Sequence, residues 1–334
     1  MRHIPSRLVF AAIGLGVLVG ILWATPSGSY LLLPDRAKPL AGLVSVPGEH
    51  GDAKGGIYYV DVIVRKASLL ERLLPPLRAD GSTLVPGHAV VPPGSSESQR
   101  RKQNLQEMSQ SQQTAAAVAL RALGYKVAAR RVGVLVVSVA PDAPAAGRLQ
   151  PGDVIVEVDG RQVRTPDDLR REISRRKPGG HVRLGLKAGT AVRQVDVGTI
   201  ADPSDKSRAI VGIAVDQSVR ISLPLDVKID LGGVGGPSAG LAFALDVLEE
   251  LGRDVDRGYK VAATGEIALD GNIDPIGGVK QKTIGARRAG VDVFLVPAGD
   301  NAAEARRYAG GLRIIPVQSF RQALQALATL PAHG

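Results

Sequence analysis

At 334 residues the chain is long enough for two or three domains with cores of their own. It contains no cysteine, which excludes disulfides, thiolate metal sites and cysteine nucleophiles. The net charge of +10 invites a nucleic-acid reading, but aromatic residues make up only 3% and no recognition module is present, so nucleic acid is not expected as a partner.

Residues 8–24, LVFAAIGLGVLVGILWA, carry no charge over 17 positions, with Arg2 and Arg7 before them and Trp23 near the far end. Read as a helix the run predicts a single-pass transmembrane anchor. Residues 1–7 are then a cytoplasmic N-terminus, and the bulk of the chain is extracytoplasmic at the cell membrane. A signal peptide is the competing reading, because small residues follow in TPSGS; the apolar run is longer than the usual signal core.

Residues 25–130 form an extracytoplasmic N-terminal region whose expected role is spacing or support. GIYYVDVIV (56–64) predicts a strand, LLERLLPPL a short helix broken by Pro75 and Pro76, and VPGHAVVPPGSSESQRRKQ (85–103) an exposed loop. SQSQQTAAAVALRALGYKV predicts a helix leading into the next module.

In residues 131–200, GVLVVSV (133–139) predicts a strand and LQPGDVIVEVDG a Pro-Gly turn, a strand and an Asp159-Gly160 turn. A polar helix TPDDLRREISRR and two strands, HVRLGLKAG and AVRQVDV, follow. This succession resembles a PDZ domain, a partly open β-barrel with a side helix, and APAAGRLQPGDVIVEVDG matches that family's central motif. The resemblance implies a groove that takes an extended peptide as an added strand, with Gly133, Val134 and Leu135 as peptide-binding residues. The loop VGVL lacks the second glycine usual in the family, and a module with an empty or blocked groove is the alternative.

Residues 205–330 hold the chemistry. GGPSAG (235–240) stands before LAFALDVLEEL, where Leu241, Leu245 and Leu248 recur at helical spacing. Its serine could belong to a phosphate cradle, cap the helix or act as a nucleophile. No G-x-x-x-x-G-K-[ST] exists in the chain, which argues against the cradle and against ATP hydrolysis. A nucleophile needs a base, and the five histidines are His3, His50, His88, His181 and His333, none between 182 and 332. A carboxylate or a neutral lysine remains. In DPIGGVKQKTIGARRAGVDVFLVP (274–297), helical periodicity puts Lys282 beside Val279, Ala286 and Ala289, and Lys280 beside Arg287. Desolvation there would lower the lysine pKa toward neutrality; snorkelling to water past small neighbours is an equal alternative.

GPSAG opening a helix, ATGEI (263–267) and PIGGVKQK together resemble the proteolytic domain of Lon proteases, over roughly 205–330. The resemblance implies Ser238 as nucleophile, Lys282 as general base 44 residues on, Thr264 supporting the lysine, and an oxyanion loop at Gly236 and Ser238. It implies no metal and no cofactor, and suggests a homo-oligomer. One departure is Gly235, where ATP-driven Lon enzymes carry an acidic residue. The whole chain resembles bacterial membrane-anchored PDZ-Lon peptidases. The expected fold class is α+β multidomain: an N-terminal transmembrane helix, a PDZ-like domain and a Lon-type α/β proteolytic domain. The expected function is that of an ATP-independent, membrane-anchored serine endopeptidase whose PDZ domain recruits protein or peptide substrates. A non-catalytic anchored scaffold is the alternative.

Overall fold

The computed structural model describes residues 6–46, 55–92, 96–189 and 191–331. They form two compact units. The first is built from Met1–Glu97, Glu107–Leu123 and Leu225–Gly334, and the second, interposed along the chain, from Ser98–Gln106 and Gly124–Pro224.

Helix α1 covers Ser6–Ala24. The expected anchor at 8–24 requires correction: among the described residues no helix is long and apolar enough to cross a membrane. The uncharged run of 17 residues reaches only about 26 Å at 1.5 Å per residue, against a bilayer core of about 30 Å. The transmembrane element of the expected fold class, the membrane as a partner and the cell-membrane location fall with it. Of the expected cytoplasmic N-terminus, residues 1–5 lie outside the described residues.

Strand β1 (Pro26–Pro34) is followed by β2 (Gly56–Tyr59) and β3 (Val62–Ser68). GIYYVDVIV, expected as one strand, is thus two. The chain breaks at Val60 and Asp61 because β2 and β3 join different sheets. Helix α2 (Leu69–Leu73) starts on a reciprocal cap between Ser68 and Glu71 and gives way to a 3₁₀ turn at Pro75–Leu77, as the prolines require. Strand β4 (Thr83–Pro86) pairs with β1, which also pairs with β3, making a three-stranded antiparallel sheet. The expected loop 85–103 instead holds the end of β4, a single helical turn at Gly87–Val90 and the start of α3 (Glu97–Ala122). Glu, Gln, Arg and Lys are strong helix formers, so that polar run extends the helix. The alanine-rich stretch Ala115–Leu120 of α3 is buried.

In the second unit, β5 (Ala128–Val139), β6 (Val154–Val158), helix α4 (Pro166–Ile173), β7 (His181–Ala188), β8 (Ala191–Gly198) and β9 (Ile213–Ser222) follow in order. The strands lie in the order β8-β7-β6-β5-β9. Val134, Val136, Ile155 and Leu184 meet Leu169 and Ile173 of α4 in one apolar core. Thr165 and Asp168 form a capping box at the start of α4, and Pro166 sits in its first turn. Asp159 and Gly160 both take positive φ at the turn after β6, which their sequence predicts.

The remainder of the first unit supplies helix α5 (Gly240–Glu250), strand β10 (Lys260–Ala263), helix α6 (Val279–Ala289), strand β11 (Val293–Pro297), helix α7 (Asp300–Tyr308), strand β12 (Arg313–Val317) and helix α8 (Phe320–Ala328). Strands β2, β10, β11 and β12 are neighbours in one parallel sheet, with Lys38–Pro39 paired antiparallel on β2. Alternate residues serve two cores. Val261, Ala263, Val293 and Leu295 pack with α3, α5 and α8, while Ala262, Phe294 and Val296 pack with α6 and α7. Covering both faces explains why VFLVP is apolar at every position. Residues before the second unit, expected only to space or support, therefore contribute a strand to the sheet that carries the site.

Candidate active site

Ser238 lies in a 3₁₀ turn, Pro237–Ala239, that runs directly into α5. Gly236 enters this turn at φ 94°, a backbone angle that side-chain-bearing residues avoid. Gly240 closes it where no Cβ fits: one would lie 2.8 Å from Ile267 Cγ2 and 2.9 Å from Ser111 Oγ. The loop is braced from three sides. Ser111 Oγ of α3 donates to the Pro237 carbonyl at 2.9 Å, and the Ser238 carbonyl accepts from Gly265 N–H at 2.8 Å and from Thr264 Oγ1 at 3.0 Å. Ser238 is not a helix cap: the cap position of the turn is Gly236, that of α5 is Ala239, and neither has a side-chain cap bond.

Lys282 comes from α6, which opens at Gly278 in the left-handed conformation and ends at Gly290 in the same conformation. The two alternatives for this lysine are separated by its burial: it is 3% exposed, beside fully buried Val279 and Ala286. Lys282 Nζ donates to Ser238 Oγ at 2.6 Å and to Thr264 Oγ1 at 3.2 Å. Desolvation pushes its pKa from the ordinary lysine range down to about 7, against an opposing pull from the charge of Asp61. Lys280, two residues earlier, points elsewhere: its Nζ reaches the Ser82 carbonyl at 3.1 Å and lies 5.5 Å from the centre of the Tyr308 ring.

Thr264 follows β10, wholly buried, with its N–H donating to the Leu295 carbonyl at 3.0 Å. Its hydroxyl therefore links the serine backbone to the lysine amine. The structure brings Ser238, Lys282, Thr264 and Gly236 to one place, the carboxyl edge of the parallel sheet, where open α/β folds place their sites. Ser111 and Asp61 belong to the same neighbourhood and were not singled out from the sequence. The only signal for Asp61 is a lone carboxylate inside the apolar run YYVDVIV.

Gly133, Val134 and Leu135 lie in the second unit on β5. One edge of that strand pairs with β6, where Val134 faces Ile155, and the other pairs with β9: Ser218 faces Gly133, Gln217 faces Val134 and Asp216 faces Leu135. Gln217 Nε2 also donates to the carbonyls of Gly133 and Arg164. A peptide adding to β5 as a strand would have to displace β9.

The sequence reading names no metal ligand. Glu249, Asp254 and Asp256 bring carboxylate oxygens within 4.8 Å of one another. Glu249 Oε1 accepts from the N–H groups of Val255 and Asp256, and Asp256 accepts from those of Gly56 and Gly258, so these groups brace the turn after α5.

A serine hydroxyl is thus held against a buried amine at the mouth of a helix. A Lon-protease-family C-terminal domain is present: residues 214–329 match the model of the Lon protease (S16) C-terminal proteolytic domain, and residues 121–199 match a PDZ domain model. Among individual relatives, the chain is similar to Lon protease 2 of Thermus thermophilus, 35% identical over 103 residues that make up 28% of this chain and 13% of the relative. It is also similar to Lon protease of Chloroflexus aggregans, 39% identical over 133 residues, 38% of this chain and 16% of the relative. Among solved structures, the PDZ domain of the SdrC-like protein of Listeria monocytogenes is 33% identical over 25% of this chain and 87% of that one, at a TM-score of 0.23.

The chain spans from 12% to 20% of the length of the curated relatives it matches. A likeness that partial carries no information on what drives substrate unfolding, so the expectation of ATP independence is withdrawn together with membrane anchoring.

Proposed function

We propose that the chain is a serine endopeptidase in which Ser238 is the nucleophile and Lys282 the general base, acting on protein or peptide substrates. The observation that carries this reading is the 2.6 Å approach of Lys282 Nζ to Ser238 Oγ with the lysine buried. A neutral amine has a lone pair, and a hydroxyl at that distance can pass it a proton as the oxygen attacks the peptide carbonyl. The oxyanion then meets the backbone N–H groups of the Gly236–Ser238 turn, whose first donors lack intrahelical partners. Protonated Lys282 returns its proton to the leaving amine, and water repeats the cycle on the acyl-enzyme. Thr264 holds the amine on line: its hydroxyl accepts from Nζ while donating to the Ser238 carbonyl.

The alternative is a scaffold that binds without reacting. A fluorophosphonate probe separates the two. The native chain is expected to be labelled at Ser238, and Ser238→Ala and Lys282→Ala are expected to lose the label. A folded native chain that takes up none contradicts the peptidase reading.

A further inference from the structure

Asp61 stands just past β2, and Thr264 just past β10, the neighbouring parallel strand in which Ala263 faces Tyr59. The two side chains therefore leave the same edge of the sheet. Asp61 Oδ1 is buried and has no hydrogen-bond partner among the described residues. Its other oxygen lies 3.5 Å from Lys38 Nζ, which is itself 2.7 Å from Asp35 Oδ2. A buried oxygen left unpaired costs roughly 1–3 kcal/mol, so one partnered carboxylate oxygen beside one orphan needs a reason.

The reason lies across from it, on α6. Asp61 supplies the charge that opposes the effect of burial on Lys282. Two backbone approaches fix α6 against the segments that carry this cluster. At Gly278 a Cβ would lie 2.9 Å from Val62 Cγ2, next to Asp61, and at Gly285 it would lie 1.8 Å from the Asp35 carbonyl oxygen. Ala37 N–H donates to the Gly285 carbonyl at 3.3 Å, closing the same contact. Neither glycine leaves room for the helix to drift from the Asp35–Lys38–Asp61 group.

We propose that Asp61 is a positioning residue of the dyad, acting through space: its carboxylate balances the charge the Lys282 amine acquires on taking the Ser238 proton. This rests on the peptidase reading above. The proton passes from Ser238 Oγ to Lys282 Nζ and then to the leaving amine, and Asp61 takes no part in the transfer. On balance the Asp61 carboxyl is pushed upward: burial first, and then Asp35, outweigh Lys38, which holds it down. Tyr59, whose hydroxyl burial pushes up, completes the set.

The test is the pH dependence of fluorophosphonate acylation by the purified full chain, compared among native protein, Asp61→Asn and Asp61→Glu. Without the carboxylate the neutral amine is favoured, so in Asp61→Asn the acid limb is expected to move down by roughly one pH unit. The plateau rate falls about tenfold, because the ammonium formed during attack loses its counter-charge. Asp61→Glu restores the limb. If Asp61→Asn does not accumulate as folded protein by circular dichroism, Asp61→Ala reads the same limb without a buried amide to satisfy. A limb that stays at the native position in a folded Asp61 variant overturns the proposal, whatever happens to the rate, since a brace for Lys38 alone would not touch the titration. Ser238→Ala distinguishes the two failures: if it reacts as fast as native, the dyad is wrong, whereas a silent Ser238→Ala with an unmoved Asp61→Asn limb removes only the role of Asp61.

Discussion

Ser238→Ala is expected to lower the turnover of an unfolded protein substrate by at least about 10⁴-fold, and Lys282→Ala by a similar factor. The substitution removes one oxygen and should leave the fold intact, because the loop is held through the Pro237 and Ser238 carbonyls and through Gly240, not through the Ser238 hydroxyl. Nucleophile and base act as one unit, so the double variant should be no slower than either single one. Steady-state kinetics with a fluorogenic unfolded substrate decides this. Additive losses, or a single variant retaining a tenth of native turnover, would mean that the two side chains do not share the proton.

The second large effect runs in opposite directions on activity and stability. Lys282→Met keeps the length and the apolar stem but removes the amine, so activity should vanish while the fold becomes more stable. In the native protein Lys282 titrates at about 7, whereas in the unfolded chain it titrates near the ordinary value of about 10.4. Between those values the unfolded chain binds the extra proton, so native stability rises with pH across that window. Below pH 7 both states are protonated and the full penalty of burying the charge is present; above the ordinary value it is gone. Lys282→Met should therefore gain about 2–4 kcal/mol near pH 6, with the gain fading toward pH 10. Urea unfolding at a series of pH values measures it. An equal gain at every pH would show that the amine is not desolvated.

The pair proposed to react could be singled out because each member sits in a local pattern. A run of small residues before a helix marked Ser238, and helical periodicity placed Lys282 on the stripe with Val279 and Ala286. What periodicity could not decide was depth. Small neighbours allow either burial or an escape to water, and only the packing of α6 against the sheet and the Asp35–Lys38 segment closes the escape. Asp61 and Ser111 were not legible, because parallel pairing joins Gly56–Tyr59 to Lys260–Ala263 across some two hundred residues and leaves no local trace. The pairing of β5 was hidden for a related reason: Gly133, Val134 and Leu135 read locally as the loop entering a strand, and β9 comes to pair with them from some eighty residues later. The anchor at 8–24 rested on hydropathy in a run that falls short of a bilayer.

The central claim is that a neutral, buried Lys282 takes the proton of Ser238. The most direct test is the rate of fluorophosphonate acylation at Ser238 from pH 5 to 10, with the modified residue identified by mass spectrometry. The rate should rise through a single titration centred near 7, as the amine loses its proton, and then level off. A rate still climbing at pH 10, or one independent of pH and unchanged in Lys282→Ala, would contradict it.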